Sequence, residues 1–453
     1  MFDLIVLGGG PAGYLAAERA GHAGMAVLLI EKRTLGGVCL NEGCVPSKTL
    51  LYSAKIFDYT KHGDAYGVKT EGSSIDQKAV IARKNKVVRN LVAGIKSQMK
   101  VNHVTVKEGL GVIKGRTGGV VQVSVGEEVF EGKNLLIATG SAAIVPPIPG
   151  VREGYEAGYV MTNREILDLE VIPKDLVIVG GGVIGLEMAG YFNSAGSKVT
   201  VIEMLDKIAG PTDREISSIL QSNCEKKGIG FRLSCKVTAV RDGLVEYEEK
   251  GEIKSVAADK VLMSIGRRPV ISGFGLENIG VLTQKGHIVV DDKGRTNIPG
   301  VFAAGDVNGV WMLAHAAYRE SEVIVNNLRG RKDVMRYNAV PSVIYTNPEV
   351  GSVGETEESC REKGIEYVRS VIPMNYSGRY MAENDRGDGI CKIIADPVHN
   401  RIIGCHIIGS YASEIIMSAG MLIESEMKIE DIKEFVFPHP TVCEIIREAI
   451  FAL

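Results

Sequence analysis

At 453 residues the chain is too long for one hydrophobic core and long enough for three or four domains. Its 52 Lys and Arg nearly balance 55 Asp and Glu, for a formal net charge of -3, and the basic residues are spread along the sequence, so no nucleic-acid partner is expected. Eight cysteines in such a length make no disulfide scaffold, and the apolar stretch 135–148 is broken by Gly140, Pro146 and Pro147, so no membrane span is expected.

Met1-Phe2-Asp3 runs straight into an apolar run at 2–7, with no room for a signal peptide, and a cytoplasmic location is the expectation. That run has strand length and leads into Gly8, Gly10 and Gly13 in G-x-G-x-x-G spacing, then an alanine-rich helical stretch at 12–20. A second strand at 26–30 ends on Glu31, near the distance at which an acid meets a ribose hydroxyl. Alone the glycine pattern is weak. Flanked by strand, helix and acid it reads as a dinucleotide fingerprint, because the glycines let backbone approach a pyrophosphate at the helix N-terminus.

Next comes Gly36-Gly37-Val38-Cys39-Leu40-Asn41-Glu42-Gly43-Cys44-Val45-Pro46-Ser47-Lys48. The two thiols reach disulfide distance if the loop curls or a helix begins there, and the flanking glycines permit that path. A bond so placed opens and closes readily and exchanges with a substrate dithiol. The alternatives are two unrelated core thiols and a zinc half-site, and zinc wants a second Cys/His pair, whereas Cys224, Cys235, Cys360, Cys391, Cys405 and Cys443 are scattered singly. Those six read as buried small hydrophobes, and no metal is expected.

Residues 73–100 read as a long polar helix with Val80, Val87, Leu91 and Ile95 at helical spacing, a packing stripe. Glycine-broken strands follow at 101–125, and a buried strand at 134–137 ends in Ala138-Thr139-Gly140-Ser141. Pro146, Pro147 and Pro149 mark a first domain boundary. From Asp175 the opening pattern recurs: a strand at 176–179, then Gly180, Gly182 and Gly185, a helix, and a strand ending on Glu203 at the spacing that separates Gly13 from Glu31. An acid there accepts a ribose hydroxyl and repels a 2′-phosphate, and Met204-Leu205-Asp206 supplies no arginine, so NAD is expected over NADP. Glu187, just inside this helix, reads as an ordinary solvated or dipole-favoured acid, and spacing alone gives it no role.

Strands at 260–265 and 301–304 end in Gly266-Arg267-Arg268-Pro269 and Gly305-Asp306-Val307, both candidate cofactor turns at strand carboxyl ends. Asp306 reads either as a cofactor contact or as a helix cap. After Asn338 the pattern changes to strands at 339–345, 390–395 and 402–408 with helices, an α+β domain. In the terminal Phe437-Pro438-His439-Pro440-Thr441-Val442-Cys443-Glu444, the proline after His439 keeps it extended. Glu444, one turn into the next helix, is near enough to fix the imidazole tautomer of a general base. A lone histidine is more often structural, and these residues alone do not decide.

Over its whole length the chain resembles the flavoprotein disulfide reductases of the pyridine nucleotide-disulfide oxidoreductase family, and within them the dihydrolipoyl dehydrogenases. The motifs that carry this are the 39–48 stretch, both fingerprints, Ala138-Thr139-Gly140, Gly266-Arg267-Arg268-Pro269, Ala303-Ala304-Gly305-Asp306, and His439-Pro440-Thr441 with Glu444, all in the family's order. The resemblance implies an α/β protein with two Rossmann-like dinucleotide-binding domains and a C-terminal α+β dimerisation domain. The segments are 1–145 for FAD, 146–268 for NAD, 269–338 completing the FAD site, and 339–453 at the dimer interface.

It further implies that Cys39 and Cys44 form a redox disulfide and that His439, supported by Glu444, reaches the pair of the other subunit of a homodimer. FAD is expected at Gly8, Gly10, Gly13, Glu31, Lys48, Gly111, Thr139, Gly140, Asp306 and Ala314. NAD is expected at Gly180, Gly182, Gly185, Glu187, Glu203 and Gly266, with Glu187 paired to Lys48. The implied reaction oxidises a protein-bound dihydrolipoyl group and reduces NAD, within a 2-oxo acid dehydrogenase or glycine cleavage complex.

Val38 replaces the family's usual threonine and Cys443 a common serine, changes expected to tune rather than abolish the chemistry. A glutathione-type reductase would favour arginines after the second fingerprint, a mercuric reductase a C-terminal cysteine pair, and a soluble transhydrogenase would lack one thiol. A redox sensor that docks a partner without turnover is the rival from another class.

Overall fold

The computed structural model describes residues 1–384 and 388–453, which fall into two compact units. The first comprises Met1–Thr49, Ala82–Ile144 and Gly266–Arg336. At its centre Phe2–Leu7 lies parallel between Val27–Glu31 and Glu128–Ile137, with Thr105–Glu108 and Val301–Ala303 on the two flanks. Leu4, Ile5 and Val6 are fully buried, as a strand covered on both faces requires. Glu128–Ile137 pairs twice: its first half forms an antiparallel hairpin with Val120–Val125, and its second half joins the parallel sheet.

Helix Pro11–His22 buries Ala12, Gly13, Ala16, Ala17 and Ala20, small residues that let helix Ala314–Leu328 pack closely beside it. The Ser321 hydroxyl donates to Ala12 O across this seam at 2.8 Å.

The second unit comprises Leu50–Ile81, Val145–Ile265 and Tyr337–Leu453. Its parallel sheet runs Gly230–Arg232, Lys198–Ile202, Asp175–Val179, Lys260–Met263, Val160–Met161. An antiparallel meander at Cys235–Arg241, Gly243–Glu249 and Glu252–Ala258 adjoins it in sequence. The C-terminal part is a five-stranded antiparallel sheet in the order Ser342–Ile344, Glu349–Gly354, Arg401–Gly409, Ile390–Asp396, Val368–Pro373, with helices Ala412–Glu424 and Glu444–Phe451 burying apolar stripes against it. The first of these strands is shorter than the run at 339–345 suggests, because residues 337–341 make no ladder.

Helix Gln77–Val101 also departs from expectation. Leu91 in its apolar stripe is 44% exposed, and its sequence carries no acid while Lys78, Arg83, Lys86, Arg89, Lys96 and Lys100 are exposed, so basic residues do gather on one element. Among the described residues no helix is long and apolar enough to cross a membrane.

The second unit also buries a charge. The Lys392 ammonium, 1% exposed, lies 2.8 Å from Asp213, 2.7 Å from Glu215 and 2.8 Å from Glu357. Asp213 also caps helix Arg214–Lys226 through the N–H groups of Glu215 and Ile216. Burial alone would push the Asp213 carboxyl up, but the ammonium outweighs it and holds the group below the usual carboxylate range. For Lys392 burial pulls down and the three carboxylates push up, with a net rise. The stabilisation from Asp213 is therefore full above the ordinary carboxylate pKa and lost in acid, while that from Lys392 is lost only at strongly alkaline pH. Lys392→Met, which removes the cation these three carboxylates share, should cost about 3–5 kcal/mol in urea unfolding. A change below about 1 kcal/mol would show that the network is neutral to folding.

Candidate active site

The Cys39–Cys44 stretch is built from two helix starts. Gly36 and Gly37 take positive φ of 98° and 56°, turning the chain into helix Gly37–Glu42, and Gly43 breaks it before helix Cys44–Lys61. A side chain at Gly37 would place its Cβ 2.6 Å from Gly10 Cα, so only glycine lets the cysteine helix lie against the first fingerprint. Asn41 Nδ2 donates to Leu35 O and Gly37 O, fixing the short helix from below.

Both cysteines are free thiols, Cys39 half-buried and Cys44 exposed, and the two are hydrogen-bonded to each other. The neighbouring Cys44 and burial push the Cys39 thiol well up, while the Lys48 ammonium pulls the other way. Lys48 stands one turn beyond Cys44 on the same helix face.

The two fingerprints are built alike. At the first, a Cβ on Gly13 would fall 1.7 Å from Gly8 O and one on Gly8 2.2 Å from Ala138 O, whereas Gly10 meets only Gly37 Cα, at 3.7 Å. At the second, a Cβ on Gly185 would fall 2.2 Å from Gly180 O and one on Gly180 2.6 Å from Ser264 O, while Gly182 has nothing within 4 Å. Helices Pro11–His22 and Val183–Ala195 begin with no side-chain cap and no acid in the first turn, leaving their N–H groups and positive dipole ends for an anion. Glu31 accepts from Gly9 N and Arg33 N, both at 2.7 Å. Glu203 accepts from Gly181 N at 2.6 Å and Leu205 N at 2.8 Å. These hollows fit two dinucleotides.

Around the first hollow the structure gathers further turns. Gly111 opens strand Gly111–Thr117 packed on Leu7 and Ile30, where a Cβ would come within 2.6 Å of the Leu7 side chain. Thr139 Oγ1 donates to Val270 O, and Gly140 has φ 69° with open space beside it. Asp306 makes no helix-cap hydrogen bond; its carboxylate accepts from Ser141 Oγ at 2.5 Å, and Ser141 in turn accepts from Arg267 Nε at 2.8 Å. Glu320, buried, accepts from Gly305 N at 2.6 Å and holds the Asp306 turn from beneath. Ala314 is the first residue of helix Ala314–Leu328, and Gly266, exposed with φ 113°, precedes the strand that carries Arg267.

In the second unit, His439 Nδ1–H donates to Glu444 Oε1 at 2.9 Å, and Glu444 also accepts from Thr441 N at 2.8 Å. The imidazole is 76% exposed and the carboxylate 18%. Burial pushes Glu444 up, but Thr441 N–H and His439 outweigh it and leave the carboxyl below its usual range. Glu444 is the first residue of its helix, with Cys443 as N-cap, and not one turn in. Glu187 is 3% exposed and accepts from Tyr345 N at 3.1 Å, so it is not a solvated acid. Cys443 is half-buried, while the other five scattered cysteines are buried as expected. Among the described residues no group of three His, Cys, Asp or Glu is placed to hold a metal.

Residues 2–321 match the family described as pyridine nucleotide-disulphide oxidoreductase, and residues 340–450 match that family's dimerisation domain. The chain is a pyridine nucleotide-disulphide oxidoreductase. It is 41% identical to the mitochondrial dihydrolipoyl dehydrogenase of Pisum sativum, across 99% of this chain and 91% of the relative. The dihydrolipoyl dehydrogenase of Mycoplasma pneumoniae is 36% identical, across 99% and 97%. Among solved structures, the HOCl-induced flavoprotein disulfide reductase of Escherichia coli superposes with TM-score 0.87 at 26% identity, covering 100% of both chains.

Several parts of this oxidoreductase's site escape sequence reading. Ser141 stands next to a quoted motif, yet only the pairing of Ser141–Ala143 with Arg267–Pro269 brings it to Asp306 and Arg267. Glu320 depends on how helix Ala314–Leu328 packs beneath the Asp306 turn and leaves no local signal.

Proposed function

We infer that this chain is a dihydrolipoyl dehydrogenase that oxidises a protein-bound dihydrolipoyl group to lipoyl and reduces NAD. The observation that carries this is the hydrogen-bonded Cys39–Cys44 dithiol beside Lys48, in a chain that also holds two dinucleotide hollows and a His439–Glu444 dyad. The two-part family match and the likeness to named dihydrolipoyl dehydrogenases support the same reading.

In its oxidised form the pair is a disulfide, and the base is His439 contributed across a homodimer. Glu444 holds Nδ1–H, which leaves Nε2 as the proton acceptor. The imidazole takes a proton from one substrate thiol, and the thiolate attacks Cys39 Sγ, breaking the Cys39–Cys44 bond and releasing Cys44 as thiolate. The second substrate thiol, deprotonated in turn, attacks the substrate sulfur of the mixed disulfide. That closes the lipoyl ring, frees Cys39 and leaves the substrate two electrons and two protons poorer. A flavin bound in the first hollow supplies the two-electron relay from the dithiol to NAD, by which the disulfide is restored.

The site residues take the roles given above: Gly8, Gly10, Gly13, Glu31, Gly111, Thr139, Gly140, Asp306, Ala314 and Lys48 hold FAD, and Gly180, Gly182, Gly185, Glu187, Glu203 and Gly266 hold NAD. The segments 1–145, 146–268, 269–338 and 339–453 act as FAD-binding, NAD-binding, central and interface domains. The physiological substrate is the lipoyl-carrying protein of a 2-oxo acid dehydrogenase or glycine cleavage complex, in the cytoplasm, where a labile disulfide is tolerated.

The test is anaerobic NADH formation from dihydrolipoamide and NAD, followed by its ultraviolet absorbance. No NADH under conditions in which the protein oxidises NADH with a dye would overturn the reading. Glu203→Ala should lower kcat/KM for NAD about tenfold and narrow the preference over NADP, as expected for a lost charge-assisted hydrogen bond. An unchanged coenzyme ratio would show that Glu203 does not read the ribose.

A further inference from the structure

Asp306, which begins the short helical turn after strand Val301–Ala303, is held from two sides. Beneath it, Gly305 takes φ 77°, a conformation that suits glycine, and donates its N–H to the buried Glu320 carboxylate at 2.6 Å. Beside it, Ser141 Oγ donates to Asp306 Oδ2 at 2.5 Å. This engages Oδ2 and leaves Oδ1 for a ligand.

The Ser141 hydroxyl is itself held. Ser141 opens the short strand Ser141–Ala143, which pairs antiparallel with Arg267–Pro269. Arg267 stands opposite Ala143, on the face that Ser141 shares two residues along, and its guanidinium reaches back. Nε donates to Ser141 Oγ at 2.8 Å, and Nη2 to Ser141 O at 2.9 Å. A guanidinium can only donate, so the serine oxygen accepts from it, and the one hydroxyl proton is directed to the Asp306 carboxylate. The direction of the hydroxyl is therefore set by chemistry at both ends. Ser141 is 8% exposed, so water competes little for either bond, and a cation behind the hydroxyl with an anion in front polarises it.

We propose that Arg267 and Ser141 are positioning residues for flavin binding: the guanidinium fixes the Ser141 hydroxyl, and the hydroxyl fixes the Asp306 carboxylate, so that Asp306 meets the cofactor already turned. This rests on the reading of Asp306 as an FAD contact. A carboxylate held in place before the ligand arrives loses little side-chain freedom on binding, and the complex is tighter by the cost of that ordering. Neither Arg267 nor Ser141 need touch the flavin for this. With Glu320 pinning the backbone and Ser141 the side chain, the acid has no loose end.

The experiment uses the full-length flavoprotein, equilibrated at a series of dilutions, with the fluorescence of released FAD giving a dissociation constant. Ser141→Ala should raise that constant about tenfold and Arg267→Met by a similar factor, as expected for the loss of a charge-assisted hydrogen bond. Together they should raise it no more than about threefold beyond the larger single effect, because Arg267 acts through the hydroxyl. Ser141→Cys keeps the volume but donates weakly, so it should behave as Ser141→Ala. A Cys variant with parental affinity would show that the serine only fills space and would overturn the proposal. So would parental affinity in Ser141→Ala, or effects of Ser141 and Arg267 that multiply in full. Asp306→Ala separates the proposal from the reading beneath it, since in that background Ser141→Ala should change nothing further. If Asp306→Ala loosens FAD while Ser141→Ala does not, the relay is removed and Asp306 remains the flavin contact; parental affinity in Asp306→Ala removes both. Far-UV circular dichroism identifies any variant that has lost its fold, and Ser141→Cys and Arg267→Met read the same relay independently of Ser141→Ala.

Discussion

Cys44→Ser should abolish NADH formation from dihydrolipoamide, a fall of at least roughly four orders of magnitude, while NADH oxidation by a dye acceptor persists. The asymmetry follows from the layout. Cys44 begins a helix of its own and is exposed, whereas the dinucleotide hollows are formed by glycines and acids in other elements that a serine at position 44 does not disturb. Serine keeps the size of the side chain but cannot form the bond that a substrate thiolate must break. If dihydrolipoamide turnover survived in this variant, another pair would have to carry the exchange. The scattered cysteines offer few candidates, because five of them are buried.

His439→Ala should lower kcat for dihydrolipoamide by about 10²- to 10⁴-fold, again with dye reduction by NADH unaffected. Glu444→Gln should cost less, because an amide can still accept from Nδ1–H at the same distance, though without charge. The double variant should be no worse than His439→Ala, since Glu444 acts through the ring. The held carboxylate also sets a pH expectation. With Glu444 below the usual carboxylate range, its support of the imidazole is present at neutral pH and is lost only as pH falls below that range. A His439→Ala enzyme that kept parental kcat would remove the histidine from the mechanism.

Elements defined by a local pattern are legible in the sequence. Both strand–turn–helix units stand where the glycine spacing puts them, and the acids at 31 and 203 reach back to the glycine turns in the same way. The closeness of Cys39 and Cys44 is legible for a similar reason, since two successive helix starts separated by one glycine place them side by side without help from distant segments.

What sequence does not supply is anything fixed by packing between distant segments. Glu187 reads as an ordinary solvated or dipole-favoured acid because helix position says nothing about what covers it, yet it is buried and accepts from Tyr345 N, just past strand Ser342–Ile344 and far along the chain. Leu91 reads as packing and is exposed, because an amphipathic stripe reports an available face, not an occupied one. Glu444 begins its helix instead of lying a turn inside it, because a proline-flanked loop does not announce where the next helix starts.

The doubled use of Glu31 and Glu203 bears on how such a protein can change its diet of coenzymes. Each carboxylate commits hydrogen-bonding capacity to two backbone N–H groups, so it is a rivet in its turn as well as the group proposed to meet a ribose. A lineage that drifted toward a phosphorylated coenzyme could not simply drop the acid, because the same change would unpin the glycine loop on which every dinucleotide sits. The shift would need a second substitution to re-anchor the turn, and until both were present the intermediate would serve neither coenzyme well. Built twice in one chain, that coupling makes coenzyme choice a slow evolutionary trait, and it advises anyone redesigning this protein to mend the loop before altering what the loop reads.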